Sequence, residues 1–177
     1  MNMSSIENAV NPHGYTYCPK CGFTLKSDLI DGVSRLHCGS CSFIFYQNPI
    51  PAVGAILLQN DEILLVKRKY KPRAGYWSLP AGFVEYSESI QHALLREIKE
   101  ETNLDIEIGN VFEVFNAFDD SRYHVVVILY YAKIKGGKLK AGDDAMEVGY
   151  FQLHDELPEL AFSCHTKAIE KLRKISA

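Results

Sequence analysis

Residues 87–102 set the tightest limit on what this chain can become. They read as one helix, with Ser87 as its cap and Glu88 in a favourable first turn. At the α-helical advance per residue, Ile90, Ala93 and Leu94 share a face. Glu97, Glu100 and Glu101 come round to that same face one and two turns later. Ile98 and Leu95 extend an apolar path beside it, and His92, Arg96 and Lys99 lie away from it. A stripe that begins apolar therefore ends in three carboxylates. At ~6 Å and an effective dielectric of ~20, each pair repels by roughly 2–3 kcal/mol. The negative end of the helix dipole adds to that cost. A divalent cation would offset it, and oxygen-only donors on a rigid helix suit Mg²⁺ or Mn²⁺. A solvated acidic face is the alternative.

The cysteines impose a second limit. Four of the five form Cys18-Pro19-Lys20-Cys21 and Cys38-Gly39-Ser40-Cys41, with sixteen residues between the pairs. This spacing matches a four-thiolate zinc site, which has no open position and is structural. A segment of about thirty residues has too little core to fold unaided, so a metal is a sensible staple. Free cysteines or a redox pair are the competing reading. Cys164 stands alone and reads as a partly buried thiol. An odd count with no export signal argues against a disulfide framework.

The remaining sequence fits one larger domain. Of 177 residues, 47% are apolar and 23% charged, enough for a proper core. Nineteen Lys and Arg against twenty-two Asp and Glu leave a net charge of −3. Bulk charge therefore does not hold this chain on DNA or an anionic membrane. No apolar run approaches the ~20 residues that span a bilayer, and no signal peptide is visible. A cytoplasmic protein is expected. Residues 1–16 read as a flexible tail, 17–46 as the cysteine module and 47–177 as the main domain, entered through a proline-interrupted linker at 47–51. Residues 52–59 and 62–69 form a hairpin around Asn60-Asp61. Residues 72–82 make a loop. Strands follow at 106–118, 123–135 and 147–153, with a turn at Gly136-Gly137, and a last helix at 163–175. This order gives an α+β domain built on a layered mixed sheet.

Gly82, five residues, Glu88, seven residues, then Arg96-Glu97-Ile98-Lys99-Glu100-Glu101-Thr102-Asn103-Leu104 resemble the Nudix box. The stretch from Trp77 to Glu85 resembles that family's lead-in. One position departs: Asn103 stands where glycine is usual. Asn tolerates the left-handed conformation after a helix end, so the turn should persist. The resemblance implies a Nudix-like α/β/α sandwich around a mixed sheet from about residue 52 onward, preceded here by a small zinc ribbon. It implies hydrolysis of a nucleoside diphosphate linked to another moiety, with Mg²⁺ or Mn²⁺. It further implies Glu97 and Glu101 as main metal ligands, Glu100 as a further or water-bridged one, and the Gly82 carbonyl as part of the shell. Arg96 would hold a helix carboxylate in place, and Glu88 would order the loop and the helix start. In this family the base often comes from a later loop; Asp143, Asp144 and Glu147 lie in such a segment, and Glu147 is the choice, set against a solvated acidic loop. A homodimer is implied by the resemblance alone.

The resemblance implies a nucleotide-derived small molecule as substrate. A ribbon ahead of a Nudix domain resembles two groups. NADH pyrophosphatases, which also act on NAD-capped RNA, carry a Ser-Gln-Pro-Trp-Pro-Phe-Pro-type motif after the box; residues 115–121 here, Phe-Asn-Ala-Phe-Asp-Asp-Ser, lack it. The lead-in and Leu160-Ala161-Phe162-Ser163 look more like ADP-ribose and FAD pyrophosphatases, so ADP-ribose or FAD is favoured, yielding AMP and a phosphorylated product. Alternatives are an NADH or capped-RNA hydrolase and a nucleotide-sensing regulator without catalysis. The ribbon's thin basic content, Lys20, Lys26 and Arg35 among Asp28 and Asp31, gives little support for nucleic acid. Tyr76, Trp77, Phe83, Phe115 and Phe118 could stack on a base or belong to the core. Arg68 and Arg73 could meet a phosphate. His124 and His165 receive no assignment.

Overall fold

The computed structural model describes residues 15–120, 124–142 and 144–176; the tail expected at 1–16 lies almost wholly outside them, as does Asp143. The chain divides into two compact units, the second beginning at Ile50.

In the first unit, β1 (Leu25–Ile30) and β2 (Val33–Cys38) form an antiparallel hairpin, and β3 (Ile44–Phe45) adds to β2. Asp31 and Gly32 both carry positive φ, 52° and 76°, as the two-residue turn between twisted strands demands. Its apolar core is small: Cys18, Leu25 and Cys38, flanked by Leu36, Cys41 and Phe43. The four sulfurs of Cys18, Cys21, Cys38 and Cys41 lie within 4.8 Å of one another. Cys38 Sγ also accepts the backbone N–H groups of Ser40 and Cys41, each at 3.4 Å, which favours its thiolate form.

The second unit is a sandwich. Its sheet runs β10 (Ala145–Gln152), β5 (Glu62–Arg68), β4 (Ile50–Gln59), β9 (Val125–Gly137), β8 (Leu104–Ala117). β4 and β9 are parallel and the other pairs antiparallel, so the sheet is mixed. β4 is buried on both faces, and its side chains alternate between two cores. Ala52 and Ile56 join one core with Cys164, Ala168, Ile169 and Leu172 of α2 (Ser163–Ile175). Val53, Ala55 and Leu57 join the other with Ala93, Leu94 and Ile98 of α1 (Ile90–Thr102). The expected α/β/α layering is present.

Several local expectations change. The cap of α1 is Ser89, not Ser87: its hydroxyl accepts the His92 N–H at 3.2 Å. Glu88 therefore precedes the helix and is released for another role. Leu95 is exposed rather than part of the apolar path. Ile50 and Pro51 are not linker but the start of β4, where a missing N–H is tolerated. Gly136 and Gly137 close β9 opposite Asp105 and Leu104 rather than forming a separate turn. Asn60 and Asp61 have φ of 50° and 61°, as the hairpin requires, and Asn103 ends α1 in the left-handed region at φ 59°, ψ 18°.

The feature that makes a site is a split beside β4. β5 pairs with β4 only at its far end, through Leu58–Ile63 and Gln59–Glu62. Along the near half, β7 (Ala81–Phe83) takes that edge instead, while β6 (Trp77–Ser78) pairs with β5. The region expected as a loop at 72–82 thus contains two short strands that bridge the divergence and carry Gly82 to α1. The fit is tight, since a Cβ on Gly54 would come within 3.0 Å of Ala81, Leu129 and Pro80.

Candidate active site

The helix geometry orders the carboxylates by depth. Glu101 lies in the middle of the face marked by Leu94 and Ile98 and is 7% exposed. Glu97 lies beside it, with its side chain 14% exposed, and Glu100 at the margin, with 55%. Glu101 Oε2 accepts the Ala81 N–H at 2.9 Å. Gly82 packs against Glu97 so closely that any Cβ there would overlap the carboxylate. Only glycine lets β7 and α1 meet here.

Helical angle alone puts Arg96 off the stripe, but its long side chain returns to the helix carboxylates. Its Nε and Nη2 hold both oxygens of Glu88, at 3.1 and 2.5 Å. Its Nη1 reaches Glu97 at 2.7 Å and Glu100 at 3.1 Å, and Nη2 also donates to the Phe83 carbonyl at 3.0 Å. Glu88 in turn accepts the Glu85 N–H at 2.9 Å. Arg96 beside it holds the Glu88 carboxyl below its usual range. One guanidinium thus ties the loop before α1 to two helix carboxylates.

The three helix carboxylates share a region without closing on one point. Among the described residues, only the four cysteine sulfurs form a ligand group within 4.8 Å. Separate partners explain the spread: Ala81 draws Glu101 inward and Arg96 draws Glu97 and Glu100 the other way. The electrostatics still couple them. Burial, then the charge of Glu97 and of Asp144, push the Glu101 carboxyl up to about 8 against the pull of the Ala81 N–H and Arg68. Burial also raises Glu97, helped by Glu100 and Asp144 and opposed by Arg96. One buried and one half-buried carboxylate, both destabilised as anions and both hard oxygen donors on one helix face, suit a small divalent cation. Arg96 bonds Glu88, Glu97 and Glu100, and the charges of Glu101 and Asp144 reach Arg68.

Glu147 does not join this group. It lies on β10 opposite Lys67, side chain 59% exposed, and pairs with the Lys67 ammonium at 3.3 Å. Asp144, from the same segment, is the acid whose charge reaches Glu97 and Glu101. Gly142 brings it there: its N–H donates to the Glu101 carbonyl at 3.1 Å, and a Cβ would overlap the Glu100 carbonyl oxygen. Sequence reasoning passed over Gly142, although a glycine just before two aspartates was the available signal. Arg68 lies on the same side, its guanidinium 4.9 Å from the Phe162 ring and its Nε donating to the Pro72 carbonyl at 3.1 Å. Arg73 is exposed and stacks on Tyr76. Of the aromatic candidates, Trp77 and Phe115 belong to the core beneath α2. Phe83 and Phe118 are exposed, Phe118 lying edge-on to His124.

Comparison with known proteins follows the same division. Residues 48–172 match the NUDIX domain and residues 16–47 the Nudix N-terminal zinc ribbon. The chain is 44% identical over 126 residues to an ADP-ribose pyrophosphatase of Methanocaldococcus jannaschii, covering 71% of this chain and 73% of that protein. It is 28% identical over 148 residues to the NAD-capped RNA hydrolase NudC of Vibrio atlanticus, covering 82% of this chain but about half, 52%, of that protein. A crystal structure of a NUDIX hydrolase from Nitrosomonas europaea superposes with a TM-score of 0.79 at 30% identity, over 90% of this chain and 91% of that one. A bifunctional NMN adenylyltransferase/ADP ribose pyrophosphatase from Francisella tularensis, solved with AMP and a Mn ion, gives 0.64 at 25% identity over 75% of this chain and 43% of that one. The chain belongs to the Nudix hydrolase family, its NUDIX domain preceded by the family's N-terminal ribbon.

Proposed function

We propose that this domain hydrolyses the diphosphate of ADP-ribose, with Mg²⁺ or Mn²⁺, to AMP and a phosphorylated product. The observation that carries the reading is the placement of half-buried Glu97 against Gly82 and of buried Glu101 on the Ala81 N–H, within reach of the charge of Asp144. The 44% identity to an ADP-ribose pyrophosphatase supports the choice of substrate.

Glu97, Glu101 and the Gly82 carbonyl would hold the cation, with Glu100 at the outer margin. A bound divalent cation neutralises diphosphate oxygens and lowers the pKa of a water ligand. The protein's own groups do the rest. Arg96 fixes the rotamers of Glu97 and Glu100 and, through Glu88, the loop leading into α1. The Ala81 N–H holds one oxygen of Glu101 in place. Asp144, rather than the ion-paired Glu147, is the base proposed to take the proton of the attacking water. Arg68, whose guanidinium stacks on Phe162, would offset phosphate charge.

AMP release from ADP-ribose, FAD, NADH and NAD-capped RNA, each with and without Mg²⁺, tests this reading. Metal-dependent turnover led by ADP-ribose is expected. Binding of ADP-ribose without turnover would favour a sensor, and capped RNA as the best substrate would favour the NudC-like alternative.

The four-sulfur cluster is proposed to hold a structural zinc ion. Structural zinc contributes about 10–16 kcal/mol of folding free energy in small modules. Cys38→Ser is therefore expected to empty the site and unfold residues 15–49 while the second unit keeps its melting transition. Zinc content by mass spectrometry and amide exchange check this; full zinc occupancy in the variant would reject the site. Five cysteines without a disulfide among them suit a reducing compartment, and the cytoplasm is the proposed location.

A further inference from the structure

His165 is buried, 3% exposed, in the first turn of α2, and nothing in the reaction outlined above uses it. Its surroundings give it a task. Trp77 and Leu160 form an isolated parallel bridge. The Trp77 N–H donates to the Glu159 carbonyl at 3.0 Å, and the Ala161 N–H to the Trp77 carbonyl at 2.7 Å. A parallel ladder alternates in this way, so the next bond would run from the Leu79 N–H to the Ala161 carbonyl. It does not form, because the chain turns after Ala161 into α2. That turn is set by Asp119, whose carboxylate accepts both the Ser163 N–H and the Ser163 hydroxyl at 3.1 Å, while Phe162 at the cap position supplies no side-chain bond. The Leu79 N–H, in a fully buried residue, donates instead to His165 Nδ1 at 3.2 Å.

The imidazole therefore stands where the ladder carbonyl would have been. As an acceptor at Nδ1, the ring is neutral with its proton on Nε2. Burial and the nearby Arg68 guanidinium favour that neutral form and hold its pKa down to about 4, against the charge of Asp119. The bond fixes one end of a short run that the site depends on. Leu79 N–H is held from α2, the Pro80 carbonyl accepts the Ala55 N–H of β4 at 3.0 Å, and Ala81 N–H holds Glu101 of α1. Gly82 follows, against Glu97. Three successive residues are thus tied to three different elements.

We propose that His165 is a positioning residue for hydrolysis, its Nδ1 replacing a ladder carbonyl so that the Leu79–Gly82 run presents Ala81 and Gly82 correctly to Glu101 and Glu97. The proposal rests on the assignment of those glutamates to the cation. It places no atom of His165 on the substrate.

The test compares His165→Leu, which removes the acceptor, with His165→Asn, whose Oδ1 can occupy the place of Nδ1. Substitutions behind a metal site typically cost 10–100-fold in metal affinity or activity. In the full chain, the leucine variant is expected to weaken Mn²⁺ binding, read by electron paramagnetic resonance, by about tenfold or more. It should also lower kcat with little change in KM and speed amide exchange at Leu79 and Ala81. The asparagine variant should recover most of all three. A folded leucine variant with wild-type Mn²⁺ affinity and kcat would overturn the proposal, as would equal losses in both variants. Should the leucine variant not fold, His165→Gln carries the comparison, because its amide lies one carbon too far. It should show the same pattern at smaller size, and behaviour identical to His165→Asn would overturn the proposal. Mn²⁺ affinity and amide exchange are read without substrate, so failure to hydrolyse ADP-ribose leaves this test intact.

Discussion

Glu101→Gln is expected to make the metal-free protein more stable at pH 8 while removing its turnover. The two effects have one cause. Glu101 is buried beside Glu97, and its carboxyl is raised from an ordinary value of 4.5 to about 8. The folded state therefore holds this proton more tightly than the unfolded state does. The stabilising contribution of that proton is complete below about pH 4.5 and is lost as pH rises through about 8. Glutamine keeps an oxygen for the Ala81 N–H and carries no charge at any pH, so the loss disappears. Thermal melts in chelator from pH 5 to 9 should show the wild type falling across this window and the variant nearly level. Divalent cation should restore the wild type at high pH and do little for the variant. Turnover should drop on the order of 10²–10³-fold, the scale seen when one preorganised electrostatic contact is lost. A variant that hydrolyses normally, or that melts with the same pH slope as the wild type, would remove Glu101 from the site.

Gly82→Ala should have the largest effect of any single methyl group on catalysis. The added carbon would overlap the Glu97 carboxylate, which is the far end of a flexible side chain. The cheapest relief is for Glu97 to swing away, breaking its 2.7 Å contact with Arg96. The fold should survive, with divalent-cation affinity and kcat both reduced about 10²-fold or more. Gly142→Ala makes the informative contrast. There the overlap is with the backbone carbonyl of Glu100, which cannot rotate aside. The expected cost is chiefly stability, about 1–3 kcal/mol in denaturant melts. If Gly82→Ala were fully active, the close approach of β7 and α1 would have no catalytic meaning.

The parts of this molecule legible in the sequence were those written by local rules. Helical periodicity placed Glu97, Glu100 and Glu101 on one side, a two-residue turn marked the hairpin at Asn60-Asp61, and paired CxxC motifs marked the sulfur cluster. The tolerance of Asn for the left-handed region anticipated the end of α1 at Asn103. What escaped depended on distance in the chain. The reach of Arg96 back to Glu88 is a property of a long side chain, and helical angle alone misplaced it. The separation of Asp144 from Glu147 depends on Gly142 docking onto the end of α1, a contact across forty-one residues that no window contains. His165 could not be assigned because its partner is a backbone N–H eighty-six residues away, and main-chain atoms leave no mark in a sequence.

Trp77 is the chain's one tryptophan. Its indole is shielded from solvent, edge-on to Phe151 and beneath the Lys67 ammonium, two residues ahead of Leu79. Intrinsic fluorescence excited at the red edge therefore originates from a single spot, where β6 leads into the peptide that carries Gly82. Emission colour and quenching give a label-free optical gauge of that junction, usable in stopped-flow without introducing a dye.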